Sequence, residues 1–132
     1  MSILLELFQA IDQIRKKNTV ERESVNFQQI TEYISENILL QHLDVEYICS
    51  YFFISYSTLY RICMKNVELS PKHYILKMKI DYAKTMLSTT NSTVAAVTEA
   101  LNFSSPLYFH KVFKKYTGTV PSTWKNDKTE SR

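Results

Sequence analysis

The feature that most constrains the fold of this 132-residue chain is an internal repeat. Segments 55–65 and 105–115 align at a constant offset of fifty residues, and their apolar and basic positions repeat together. Upstream, four apolar positions align at an offset of forty-nine: Val45, Ile48, Phe52 and Ile54 with Val94, Val97, Leu101 and Phe103. The pattern therefore predicts two copies of a short apolar helix, a turn and a basic helix, with one extra residue in the second turn.

This order of elements has two interpretations. It is the order of a helix-turn-helix, in which the first helix lies across a DNA duplex and the second enters the major groove. It is also compatible with a plain pair of amphipathic helical hairpins, because apolar residues at helical spacing usually form a core. The repeated basic positions favour the helix-turn-helix.

The composition predicts an all-α chain. One glycine and three prolines leave few residues for the tight turns of a sheet. The sequence has no apolar run of about 18 residues and no signal-type start, so we expect no membrane segment and a cytoplasmic protein.

Helical periodicity divides the chain into four parts. Residues 1–26 are predicted to form an amphipathic helix and a linker, and residues 27–69 the first helix-turn-helix subdomain. Residues 70–89 are predicted to form a connecting helix, which begins at Ser70-Pro71 because serine caps a helix and proline suits its first position. Residues 90–132 are predicted to hold the second helix-turn-helix subdomain and a C-terminal tail.

The N-terminal segment carries a continuous apolar face that needs a partner. Over residues 2–17 this face consists of Ile3, Leu4, Leu7, Phe8, Ile11 and Ile14. We expect it to contact a second copy of the chain or a sensing domain outside this sequence. The alternative is packing against Ile30 and Ile34 of the same chain.

Charge is concentrated in the half of the chain that contains the repeat. Residues 57–125 hold ten basic and three acidic residues, whereas residues 1–42 hold four basic and six acidic ones. A basic surface on the repeated helices is what binding to phosphates requires.

Several segments between Leu43 and Lys125 match a family signature. The most specific runs from Phe103 to Gly118 and continues to Pro121-Ser122; weaker matches are Leu43–Ile48, Ser55–Arg61 and Ser70–Tyr74. Residues 43–125 therefore resemble the DNA-binding domain of AraC/XylS-type transcriptional regulators. The chain departs from that family at Phe53 and Glu68, where glycine is usual, and at Cys63, where an aromatic residue is common.

The resemblance implies a function as well as a fold. It implies two helix-turn-helix subdomains that bind adjacent major grooves of an asymmetric promoter site in double-stranded DNA. It also implies a bacterial regulator that recruits or positions RNA polymerase, which is the action of an activator.

The resemblance and the helical spacing together predict the residues that contact DNA. Ser55 and Ser105 are expected to cap the two recognition helices. The predicted base contacts are Ser57, Tyr60, Arg61, Leu107, His110 and Lys111. The predicted phosphate contacts are Ser55, Lys65, Lys79, Ser105, Lys114, Lys115 and Lys125. Arg61 is the strongest candidate for guanine, because lysine lacks the two-pronged donor that matches O6 and N7.

Other chemistries find little support in the sequence. Cys49 and Cys63 occupy apolar helix positions and are predicted to be buried reduced thiols. The three histidines form no zinc-binding spacing with them, and no catalytic motif occurs. We therefore expect no metal, no cofactor and no enzyme activity. The alternative function is a helical protein-protein interaction module that does not bind DNA.

Overall fold

The computed structural model describes residues 25–130, with side chains described as far as Asn126. These residues form seven helices and no strand. The helices are α1 Phe27–Glu36, α2 Val45–Phe52, α3 Tyr56–Val67, α4 Pro71–Thr89, α5 Val94–Ala100, α6 Pro106–Thr117 and α7 Pro121–Glu130. The all-α prediction and both helix-turn-helix pairs, α2 with α3 and α5 with α6, are confirmed. The predicted helix over residues 2–17 lies outside the described residues.

Side-chain caps fix where the first six helices begin. In each of them a side-chain oxygen of the preceding residue accepts a hydrogen bond from a backbone N–H of the first turn, which would otherwise have no partner. The predicted caps of α3, α4 and α6 are confirmed. The six capping residues are Asn26, Asp44, Ser55, Ser70, Thr93 and Ser105.

The connecting helix α4 is the centre of the fold. It packs against α1, α3, α5, α6 and α7. Its buried side chains include Ile75, Ile80, Ala83 and Leu87, whereas Tyr82 is exposed. The helix is therefore part of the hydrophobic core of both subdomains, which makes it more than a spacer between them.

The repeat extends further than the sequence pattern suggested. Pro71 of α4 and Pro121 of α7 are fifty residues apart, and both are buried in the first position of a helix. Within the segment 90–132, which was predicted to hold the second subdomain and a C-terminal tail, residues 121–130 form the helix α7. A proline at this position loses no hydrogen bond, since the first N–H groups of a helix have no partner within it.

Two aromatic residues at equivalent positions tie each unit to the helix before it. Tyr74 of α4 shares a hydrogen bond with the Thr31 hydroxyl of α1, with 2.7 Å between the oxygens. Fifty residues later, Trp124 of α7 donates from its indole N–H to the Ser88 hydroxyl of α4, at 3.1 Å. Helix α4 thus contacts the second aromatic residue in the way that α1 contacts the first. Both helix-turn-helix subdomains therefore share α4.

The backbone repeats a left-handed conformation at matching positions. Phe53 and Asn102, in the two turns, have φ values of 54° and 59°. Glu68 and Gly118, after the two recognition helices, have φ values of 57° and 80°. This conformation suits glycine and costs most other residues about 1–2 kcal/mol. Phe53 and Glu68 therefore hold the strained conformation that glycine would adopt without strain.

Replacement of Glu68 by glycine should stabilise the protein. Glu68→Gly removes the left-handed strain at the end of α3, so we expect about 0.5–1 kcal/mol of added stability after the greater flexibility of glycine in the unfolded chain is counted. Thermal unfolding measures this as a rise in Tm of about 2–6 °C. Glu68→Ala is the control, because it removes the charge and keeps the strain. Equal Tm values for the two variants would contradict this explanation.

Candidate nucleic-acid interface

The first recognition helix, α3, separates a buried face from a polar exposed face. Leu59 and Cys63 are fully buried, and Ile62 is half-buried. The predicted contacts Ser57, Tyr60, Arg61 and Lys65 are all exposed.

The hydroxyl groups at the start of α3 form a small network. The Ser55 Oγ accepts a hydrogen bond from the Thr58 backbone N–H at 3.2 Å and lies 3.0 Å from the Ser57 Oγ. The cap therefore also orients one of the predicted base-contacting side chains.

Tyr56 is an exposed residue of α3 that the sequence interpretation did not select. Its side chain is 54% exposed, and its ring centroid lies 6.1 Å from that of Tyr60. The two tyrosines are four residues apart, a spacing that places them on one helix face. That spacing is the signal by which the sequence could have shown the pair.

The second recognition helix, α6, presents a different set of side chains. Leu107 is 80% exposed, which is unusual for a large apolar residue in a helix with a well-packed opposite face. Lys111 is exposed, and His110 is half-buried. The opposite face is buried through Phe109, Val112 and Phe113.

The cations of the recognition helices have no acidic partners among the described residues. The ion pairs of this region lie on α4, where Asp81 contacts Lys77 at 3.4 Å and Lys84 at 3.7 Å. By contrast, four cations of the recognition helices form no ion pair with an acidic residue within residues 25–126: Arg61, Lys65, Lys111 and Lys114. Their charge is available to phosphate groups, which bind such cations with release of counterions.

Three of the lysines predicted to contact phosphate have partners within the protein. The Lys79 ammonium lies 5.6 Å from the centroid of the Phe103 ring, and burial lowers its pKa. Lys125 donates a hydrogen bond of 2.7 Å to the Ser92 carbonyl. Lys115 is exposed and lies 5.7 Å from the ring of Tyr116. For Lys79 and Lys125 this placement indicates a structural role, and phosphate contact by either stays a prediction.

The thiol of Cys63 lies in the core and the thiol of Cys49 lies at its edge. Both cysteines are free; Cys63 is buried, whereas Cys49 is only half-buried. Burial raises the pKa of Cys63 to about 11, and burial followed by the Glu46 carboxylate raises the pKa of Cys49. Residues 25–126 contain no group of three or more His, Cys, Asp or Glu side chains that could hold a metal. In the same part of the chain, no helix combines the length and apolar character of a membrane span.

The architecture and the exposed basic helices define a class of protein. Two capped recognition helices, each preceded by a short packed helix, are joined through one shared core helix. This is the fold of a double helix-turn-helix DNA-binding domain.

Comparison with known proteins agrees with this class. A family model described as a helix-turn-helix domain matches residues 48–127. The chain is 32% identical over 94 residues to the arabinose operon regulatory protein of Salmonella typhimurium. The aligned region is 71% of this chain and 34% of that protein. It is 27% identical over 108 residues to the raffinose operon transcriptional regulatory protein RafR of Pediococcus pentosaceus. The aligned region is 82% of this chain and 39% of that protein.

Solved structures show the same fold. The DNA-binding domain of AdpA, solved in complex with a target DNA, superposes with a TM-score of 0.71 at 19% identity, over 80% of this chain and 94% of that one. An AraC-type regulator from Chromobacterium violaceum superposes with a TM-score of 0.71 at 19% identity, over 78% of this chain and 91% of that one. The chain belongs to the helix-turn-helix family of AraC/XylS-type transcriptional regulators. It spans less than half the length of these two operon regulators.

Proposed function

We propose that this chain binds promoter DNA in a sequence-specific manner by placing α3 and α6 in adjacent major grooves. The observation that supports this most directly is the equivalence of Arg61 and Lys111. They lie fifty residues apart in the two recognition helices, both are exposed, and neither has an acidic partner among the described residues.

The length of α4 agrees with two-groove binding. Its 19 residues span about 28 Å at 1.5 Å per residue. Successive major-groove faces are about 34 Å apart, and the widths of the helices at its two ends contribute the difference. One chain can therefore bind two half-sites without forming a dimer.

The two half-sites should differ in sequence. Helix α3 offers Tyr60 and Arg61, which can donate hydrogen bonds to base edges, and a guanidinium suits guanine O6 and N7. Helix α6 offers Leu107, which suits the thymine methyl group, and Lys111, which discriminates less between bases. We propose that Lys65 and Lys114, which are exposed, contact the phosphate backbone.

A salt titration of duplex binding tests the proposal. If about three to five phosphates are neutralised, a plot of log K against log salt should have a slope of about −3 to −5. A helical protein-protein module is the competing function, and the exposed tyrosines Tyr47, Tyr51, Tyr56 and Tyr60 favour it. Absence of duplex binding at low salt would reject DNA binding and leave the interaction module.

The family suggests a regulatory role for the whole protein. The chain is similar to proteins named as operon regulators, so we propose that it acts on transcription in the bacterial cytoplasm by recruiting or positioning RNA polymerase. The double-stranded promoter and the polymerase are the proposed partners.

The N-terminal segment is proposed to connect this domain to a second chain or to a sensing domain. Aspartate at both Ile3 and Ile11 would disrupt its apolar face. If the segment is a dimerisation element, sedimentation should show weaker self-association while the Tm stays nearly unchanged. A lower Tm in a protein that is monomeric throughout would instead show that the segment packs in the core of its own chain.

A further inference from the structure

The turn of the second helix-turn-helix makes a direct contact with the first subdomain. The side-chain amide of Asn102 donates a hydrogen bond of 3.1 Å to the backbone carbonyl of Leu39, which is 63 residues earlier in the chain. Leu39 lies in the loop between α1 and α2. Because the acceptor is a carbonyl oxygen, only the NH2 group of the amide can face it. The contact joins the two subdomains at a point outside α4.

The same turn is also held against the connecting helix. The residue after Asn102 is Phe103, whose ring lies 5.6 Å from the Lys79 ammonium of α4 and 5.0 Å from the buried Phe109. The turn is thus attached to the first subdomain on one side and to α4 on the other. A rotation of the second subdomain about α4 that moves Asn102 away from Leu39 would break this hydrogen bond.

Asn102 combines two properties that this contact requires. Its backbone is left-handed, with a φ of 59°, a conformation that asparagine adopts more readily than most residues. Its side chain supplies an amide donor, which glycine lacks. At the equivalent turn of the first motif the left-handed residue is Phe53, whose side chain carries no amide group.

We propose that Asn102 is a positioning residue that fixes the orientation of α6 relative to α3 and thereby sets the half-site spacing that the protein accepts. The inference rests on the proposed two-groove binding. One base pair of extra spacing moves a half-site by about 3.4 Å and rotates it by about 35°. A rigid pair of recognition helices therefore tolerates such a change poorly, whereas a loosened pair tolerates it better.

Two variants remove the hydrogen-bond donor in different ways. Asn102→Gly suits the left-handed conformation but has no donor, and Asn102→Asp keeps the shape but can only accept. Asn91→Asp, in the exposed loop between α4 and α5, adds the same negative charge away from the contact. If Asn102 acted only through its backbone, Asn102→Gly would bind DNA as well as the wild type.

The test is binding to duplexes that carry the two half-sites at the preferred spacing and at one base pair more or less. We expect both Asn102 variants to bind the preferred spacing about three- to tenfold more weakly, as loss of one hydrogen bond allows, and to lose preference for it. Binding to an isolated half-site should stay at the wild-type value for Asn102→Gly. Asn91→Asp should keep the wild-type spacing preference. Unchanged spacing preference in both Asn102 variants would overturn the proposal.

A second measurement separates this inference from the proposed function. In the protein without DNA, residual dipolar couplings from the two subdomains should fit one common alignment in the wild type and should fit a common alignment measurably worse in both Asn102 variants. An equally good fit in the variants would overturn the role of Asn102 whether or not DNA binds. If the wild type binds no duplex, the proposed function fails and the couplings still decide whether Asn102 fixes the orientation.

Discussion

Arg61→Ala should lower affinity for the preferred DNA site by about 1–3 kcal/mol, which is about five- to 150-fold in Kd. Arg61 is exposed on α3 and has no acidic partner among the described residues, so its guanidinium is available to a base edge. Loss of a bidentate contact also removes discrimination at the base that it recognises. Selection of bound sequences from a random pool should therefore show relaxed preference at one position of one half-site.

Lys114→Ala is the matched control for this prediction. Lys114 is also exposed and is predicted to contact phosphate, so its loss should weaken binding to all sequences similarly and reduce the salt slope by about 1. Lys111→Ala should have an intermediate effect on base preference. Unchanged affinity and unchanged base preference in Arg61→Ala would show that α3 does not recognise bases through this residue.

Phe113→Ala should destabilise the second subdomain severely. Phe113 is fully buried, with ring centroids 5.7 Å from Phe109 and 6.0 Å from Trp124. Truncation of such a side chain leaves a cavity and costs about 3–5 kcal/mol. This is a large share of the 5–15 kcal/mol that stabilises typical domains. Thermal unfolding should show a Tm lower by at least about 10 °C or a protein that is already unfolded at 37 °C.

Leu107→Ala provides the contrast, because Leu107 is an apolar residue of the same helix that is 80% exposed. Its truncation should change stability by less than about 0.5 kcal/mol. If it contacts a thymine methyl group, the variant should lose preference at that base while it stays folded. Similar destabilisation by Phe113→Ala and Leu107→Ala would contradict the packing described for α6.

The elements that the sequence predicted well depend on neighbours in the chain. The caps Ser55, Ser70 and Ser105 accept hydrogen bonds from backbone N–H groups three residues later, and these contacts form wherever the helix is placed. Exposure of Ser57, Tyr60, Arg61, Leu107 and Lys111 follows in the same way from the position of the apolar residues on each helix.

The sequence could predict which side chains of the candidate site lie on the exposed face of a helix, but not which partners they have in other parts of the chain. Spacing places Lys79 and Lys125 on polar positions, and both were predicted to contact phosphate. In the structure one stacks over Phe103 and the other donates to the Ser92 carbonyl. These partners belong to other elements, so the spacing of residues on one helix carries no information about them.

The sequence by itself determined the duplicated unit, the all-α class and the faces of the recognition helices, because helical periodicity and capping act over three or four residues. Only the tertiary structure decided that α4 is shared by both units, that residues 121–130 pack on it as α7, and that Asn102 reaches Leu39. Contacts between residues 33 to 63 positions apart depend on how the packed helices cross, and local spacing does not specify that geometry.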